Sequence, residues 1–225
     1  MRIADFACID ADRDRRTGIP EVIIAEGKRL AHLLKIAEAM VGEKGRAIIT
    51  RASPEAVEAL SKLPFRAEVH EDAGIVVLRT AKFRAPRPRG LVGVISAGTS
   101  DHRVAEEARI TAEELGCRTV SAHDVGVAGV HRLFDALEKM IKEKVDVYIA
   151  VAGREGALPT LVAGMVDAPV IGVPVSTGYG MAGKGKSALF AMLQSCSPLV
   201  VVNIDAGFVA GAVAARIARR RGKPR

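Results

Sequence analysis

The chain has 225 residues, 49% of them hydrophobic and 4% aromatic with no tryptophan, and a formal net charge of +7. That composition fills one sizeable α/β domain plus a smaller companion and excludes a disordered chain, while so few aromatic rings leave little to stack on single-stranded nucleic acid. Six of the seven net charges come from Arg216, Arg219, Arg220, Arg221, Lys223 and Arg225, all beyond the last acidic residue, Asp205, so the body is nearly neutral and the basic tail reads as a solvated helix end.

The opening MRIADFACIDADRDRR mixes acids and bases, and no stretch reaches the roughly 18 uninterrupted apolar residues of a membrane span. Neither a signal peptide nor a membrane contact is expected. Cys8, Cys117 and Cys196 are odd in number, far apart and without CxxC spacing, which argues against a disulfide framework or a zinc site and fits a reducing cytoplasm.

After this charged lead, Thr17, Gly18 and Pro20 predict a turn into a strand, EVIIA. Leu30, Leu33, Leu34, Ala37 and Met40 predict a helix from Lys28. The strand RAIIT, a helix capped by Ser53 with Pro54 at its first position, and the strand GIVVLRT complete a small α/β domain over residues 1–80. The proline-rich, basic run over 81–90 reads as a linker.

From Leu91 strands and helices alternate regularly. Strands LVGVIS, RTVSAH, VDVYIAVA, PVIGVPV and LVVVNI are separated by helices from Arg103 to Leu115, Val130 to about Ile141, Leu158 to Val166 and Ser187 to Ser195, and the last helix starts at Gly207. Continuous apolar strands are covered on both faces. Right-handed crossovers then give a flavodoxin-like, three-layer, doubly wound parallel sheet over residues 91–225, with ligands expected outside the carboxyl ends of its strands.

The polar clusters fall at those ends. AGTSD (Ala97 to Asp101) opens a helix: Gly98 permits close approach, Thr99 and Ser100 add hydroxyls to free N–H groups, and together they suit a phosphate, although Ser100 or Asp101 also suffices as a plain helix cap. In AHDVGVAGVHR, His123 and His131 are not spaced as a metal motif; Asp124 is the better working carboxylate, with Arg132 as a phosphate fork. Glu155 lies between Gly153 and Gly156 at a helix start, where it is either a cap or an acid/base group. Cys196 is either a small buried hydrophobe or a nucleophile, and a helix end does not by itself favour the thiolate. Ser176, Gly178 and Gly180 belong to a glycine-rich loop running into GMAGKGKS, a literal G-x-x-x-x-G-K-S match; it stands off from the preceding strand and leaves one strand behind it, which argues for an anion-contacting lid in place of a nucleoside-triphosphate site.

Taken together, RDRRTGIPEVIIAEGK, AGTSDHRVAEEA, DVGVAGVHRL, VAGREGALPTLVAGMVDAPVIGVPVS, AMLQSCSP and VVNIDAGFVAGA resemble the LarB family over nearly the whole chain. The part from Leu91 is also similar to PurE, the carboxyaminoimidazole ribonucleotide mutase, whose GSxSD corresponds to AGTSD. Its SAHRTP is SAHDVG here and its AAHLP histidine is Ala157, departures that argue against purine chemistry.

The LarB resemblance implies an enzyme that carboxylates and hydrolyses nicotinic acid adenine dinucleotide, using carbon dioxide or bicarbonate, and yields pyridinium-3,5-biscarboxylic acid mononucleotide and AMP for nickel-pincer cofactor synthesis. It implies Cys196 as the nucleophile on the pyridinium ring, Glu155 as the acid/base group for the ring proton and Asp124 as a second carboxylate. Gly98, Thr99, Ser100, Asp101, Arg132, Gly153, Gly156, Ser176, Gly178 and Gly180 are the implied substrate-binding set. No tightly bound cofactor or protein-held metal is implied, magnesium entering with the diphosphate. The expected assembly is a homo-octamer or another symmetric homo-oligomer in the cytoplasm, with sites near subunit boundaries.

Overall fold

The computed structural model describes residues 2–3, 5–180 and 183–221. The chain divides into two compact units, Met1–Ala85 and Pro86–Arg225. Lys223 and Arg225 of the basic tail, and Met181 and Ala182 of GMAGKGKS, lie outside the described residues.

The first unit runs β1 (Arg2–Ile3), β2 (Ala7–Cys8), α1 (Arg13–Thr17), β3 (Ile23–Ile24), α2 (Leu30–Lys44), β4 (Arg46–Thr50), α3 (Pro54–Ser61), β5 (Arg66–His70) and β6 (Ile75–Arg79). Its main sheet has the order β3-β4-β6-β5, parallel between β3 and β4 and antiparallel elsewhere. Leu33, Ile36, Ala37, Met40 and Val41 of α2 and Leu60 of α3 bury against Ile49, Val76 and Leu78. The Ser53 hydroxyl caps α3 by accepting from the Ala56 N–H at 3.2 Å.

Three expectations needed adjustment. EVIIA narrows to Ile23–Ile24, α2 starts at Leu30 because Arg29 is extended, and the charged lead folds into β1, β2 and α1. The lead is ordered by local pairs that hydrophobic periodicity does not register. Arg16 grips both oxygens of Asp10, and the Asp10 N–H donates to Glu21.

The second unit runs β7 (Leu91–Ser96), α4 (His102–Glu114), β8 (Arg118–Ala122), α5 (His131–Lys142), β9 (Val147–Ala152), α6 (Ala157–Ala163), β10 (Val170–Pro174), α7 (Lys186–Leu193), β11 (Val200–Val201) and α8 (Gly207–Arg221). All pairings are parallel and the strand order is β11-β10-β9-β7-β8, the flavodoxin-like doubly wound arrangement. The three inner strands are buried at every position, as their apolar runs require, whereas the edge strands β8 and β11 are partly exposed.

On one face α5, α6 and α7 bury Leu133, Leu137, Met140, Leu158 and Met192 together. α4 packs against α8 through small residues. A Cβ on Gly211 would stand 2.4 Å from the Ala108 carbonyl oxygen, so glycine is required for that close approach. Of the basic run, Arg216 lies within α8 and Arg219 to Arg221 form its last turn, where positive charge complements the helix dipole.

α7 ends at Leu193, short of the expected Ser195. The Ser195 hydroxyl accepts from Thr160 Oγ1 at 3.0 Å and from the Ser197 N–H at 3.2 Å, pinning a turn that competes with another helical residue. α6 likewise stops at Ala163, before Gly164. Cys196 therefore lies in the loop between α7 and β11, and it is exposed.

Candidate active site at the carboxyl edge of the parallel sheet

Right-handed crossovers put the segments after β7, β8, β9 and β10 at one edge of the sheet, and four glycines let them converge. Gly153 lies between the others: a Cβ there would stand 2.7 Å from Thr177 Oγ1, 2.9 Å from Asp101 Oδ1 and 3.2 Å from the Val175 carbonyl oxygen. A Cβ on Gly178 would stand 2.6 Å from the Gly153 carbonyl oxygen, and one on Gly126 2.7 Å from that of Ala97. Gly156, with φ +70°, seats the N-terminus of α6 against the Ala188 backbone in the first turn of α7.

Gly98 is extended and leads into a short turn, Thr99–Asp101, ahead of α4. Thr99 and Ser100 are exposed, as a seat for an anionic oxygen requires. Asp101 instead turns inward and is only 4% exposed. Its Oδ2 accepts from the Gly98 N–H at 2.9 Å, which locks the turn, while Oδ1 is buried without a hydrogen-bond partner on the Gly153 side. Burial raises the Asp101 pKa above its ordinary value; the Gly98 and Gly153 amides oppose the rise and the Glu155 charge adds to it. Asp101 thus shapes the seat from beneath.

Glu155 is exposed beside the seat, close enough for its charge to act on Asp101. Asp124, after β8, has φ +57° and an exposed ion pair from its Oδ2 to Arg132 Nη1 at 2.5 Å. The Val125 and Gly126 N–H groups donate to the Ser96 and Ala97 carbonyls at 3.1 and 2.8 Å, which holds this loop against the seat. Ser176 donates its N–H to Asp205 Oδ1 at 2.9 Å, and Gly178 accepts from the Lys184 N–H at 3.1 Å, so the loop carrying Ser176, Gly178 and Gly180 is tied at both ends.

One contact here was not anticipated from sequence. The Arg154 guanidinium lies over the Tyr179 ring, 4.4 Å from its centroid, and also donates to the Tyr179 hydroxyl. Tyr179 is 75% exposed, and an exposed tyrosine in an otherwise polar loop was the available signal.

Cys196 is not brought to this edge within one chain. Gly156, next to Glu155, packs on the first turn of α7, whereas Cys196 comes after the helix's last turn, near the end of α6, where a Cβ on Gly164 would lie 3.5 Å from Ser197 Oγ. Eight helical residues span about 12 Å. One chain therefore offers a seat and a carboxylate at one edge and an exposed thiol at the other.

Two family models cover the two units of the chain separately. Residues 1–81 match the LarB/PurE-like N-terminal domain and residues 91–223 match AIR carboxylase. An uncharacterized protein of Methanocaldococcus jannaschii is 43% identical over 219 residues, which are 94% of this chain and 83% of that one. A probable N5-carboxyaminoimidazole ribonucleotide mutase of Methanothermobacter thermautotrophicus is 34% identical over 137 residues, 58% of this chain and 38% of that protein, so the match spans well under half of that relative. The N5-carboxyaminoimidazole ribonucleotide mutase of M. jannaschii is 34% identical over 130 residues, 56% of this chain and 78% of that one.

Proposed function

We propose that this chain, which belongs to the LarB family and carries its PurE-like AIR carboxylase domain, converts nicotinic acid adenine dinucleotide and carbon dioxide to pyridinium-3,5-biscarboxylic acid mononucleotide and AMP. The coarser statement, an enzyme of carboxylase or mutase type acting on a nucleotide, follows from the family itself. The observation that carries the finer one is the glycine-permitted convergence of the Gly98–Ser100 seat, the exposed Glu155 and the Ser176–Gly180 loop at one edge.

The ring is a fixed cation and therefore an electrophile. The Cys196 sulfur, as thiolate, adds to the carbon para to the ring nitrogen; the C–S bond forms and a ring π pair moves to nitrogen, giving an enamine. The carbon beside the adduct then attacks carbon dioxide, Glu155 takes the proton from that carbon, and the C–S pair returns to sulfur as aromaticity is restored. The net change replaces a ring C–H by a carboxylate and releases one proton. Separately, water cleaves the phosphoanhydride, with the diphosphate held on the N–H groups and hydroxyls of the seat.

Because the thiol and the carboxylate occupy opposite edges of one chain, Cys196 is supplied by a second copy, which makes a symmetric homo-oligomer, such as an octamer, part of the reading. Release of AMP from nicotinic acid adenine dinucleotide, followed by chromatography, tests it. The unmodified protein releases AMP with bicarbonate-equilibrated carbon dioxide present, and Cys196→Ala binds the dinucleotide without forming a carboxylated product. Binding without turnover by the unmodified protein would overturn it.

A further inference from the structure

His102 and Glu106 are four residues apart on α4 and share one face of its first turns. His123 follows β8, the neighbour of β7, and its ring reaches that face. Its Nε2 lies 3.6 Å from Glu106 Oε1, and its ring centre lies 4.7 Å from that of His102 in an edge-on arrangement. One ligand atom from each of the three falls within 4.8 Å of the others. Small rotamer adjustments bring such a set to the roughly 3–3.5 Å separations that bonds of about 2.1 Å to one tetrahedral ion require.

The surroundings hold two of these donors in place. Ser96 Oγ, fully buried at the end of β7, lies 3.0 Å from His123 Nδ1. With Nδ1–H donating to that hydroxyl, the remaining lone pair is on Nε2, the nitrogen that faces Glu106. A polar partner on the far nitrogen is what orients a metal-bound imidazole.

Glu106 is gripped by Arg109 at 2.7 to 3.0 Å, and the same guanidinium takes Glu113 at 2.8 Å. Two carboxylates on one cation leave the cluster with a negative charge, and a carboxylate offers about four lone-pair directions, of which a forked arginine fills those facing it. Glu106 is mostly buried, its side chain 14% exposed, so that charge is poorly screened.

We propose that His102, Glu106 and His123 bind a divalent first-row transition-metal ion, with at least one coordination position left for water or an anionic oxygen. Two imidazoles with one carboxylate suit zinc, cobalt or nickel and not the all-oxygen preference of magnesium or calcium. The site stands beside the Gly98–Ser100 seat in the chain, yet it is independent of the proposed carboxylation and is tested without any substrate.

Tag-free full-length protein, dialysed against a chelator, is titrated with Co2+ by calorimetry and followed by visible absorption. One ion per chain is expected, with ligand-field bands that Zn2+ abolishes by displacement. His123→Ala and Glu106→Gln each weaken binding at least tenfold, and Ser96→Ala weakens it by about tenfold without removing a ligand. His131→Ala, an exposed histidine outside the cluster, binds as the unmodified protein does. Circular dichroism establishes that each variant is folded, and Glu106→Gln, nearly isosteric, remains informative where an alanine variant unfolds. Absence of a cobalt spectrum in the unmodified protein, or equal binding by folded Glu106→Gln, would overturn the assignment.

Discussion

Glu155 and Cys196 stand at opposite ends of α7: the carboxylate adjoins the helix's first turn through Gly156 and Ala188, and the thiol follows its last turn. A reaction that uses both must therefore be completed between copies. Co-expressing Cys196→Ala with Glu155→Gln chains checks this directly. Each variant alone is inactive, whereas random mixing restores about a quarter of the activity because that share of interfaces combines an intact thiol with an intact carboxylate. No recovery would place both groups in one chain's site.

The cysteines differ in reach. Cys8 and Cys196 are exposed, while Cys117 is buried, and burial pushes its thiol up to about 11. Brief alkylation of the native protein followed by peptide mass spectrometry should modify Cys196 and Cys8 and spare Cys117, and dinucleotide should protect Cys196 alone.

Gly156 carries a backbone approach as close as any at the site. Gly156→Ala adds a left-handed strain of about 1–2 kcal/mol and sets a methyl 2.6 Å from the Ala188 backbone, a further overpacking cost of about 1–3 kcal/mol. Urea unfolding should register that loss. In any folded fraction kcat should fall along with stability, because Glu155 is displaced with its neighbour.

Asp101 sets a pH dependence. Its folded pKa is raised, mainly by burial, so above the unfolded value the folded state holds the proton more strongly and stability falls as pH rises through the interval between the two values. Asp101→Asn keeps an acceptor for the Gly98 N–H and removes the ionisation. Its stability relative to the unmodified protein should therefore improve as pH rises from the acid side of that interval to neutrality, as read by chemical denaturation at each pH.

Much of this was legible in sequence, for physical reasons. Fully buried parallel strands must be apolar throughout, so β7, β9 and β10 were readable, and the clusters that follow them had to lie at the carboxyl edge. Gly153 and Gly156 of GREG and Gly178 of STGYG marked close approach, whereas Gly98 of AGTSD did not, since a Cβ there would meet nothing nearer than 3.7 Å. Asp101 looked like a ligand contact because nothing in AGTSD reveals which way a side chain turns. The separation of Cys196 from Glu155 is a consequence of the two ends of a crossover helix, visible once the boundary of α7 is placed. His123 was weighed against His131, its neighbour in the chain, when the sheet order gives it His102 and Glu106; the i, i+4 pair in HRVAEEA was the signal available.

The carboxylation itself is tested most directly by isotope. The protein is incubated with nicotinic acid adenine dinucleotide and 13C-bicarbonate, and the products are resolved by mass spectrometry. The predicted result is AMP together with a mononucleotide carrying one additional, 13C-labelled carboxylate, the labelled product being absent with Cys196→Ala. A mononucleotide without label, or an unchanged dinucleotide, would contradict it.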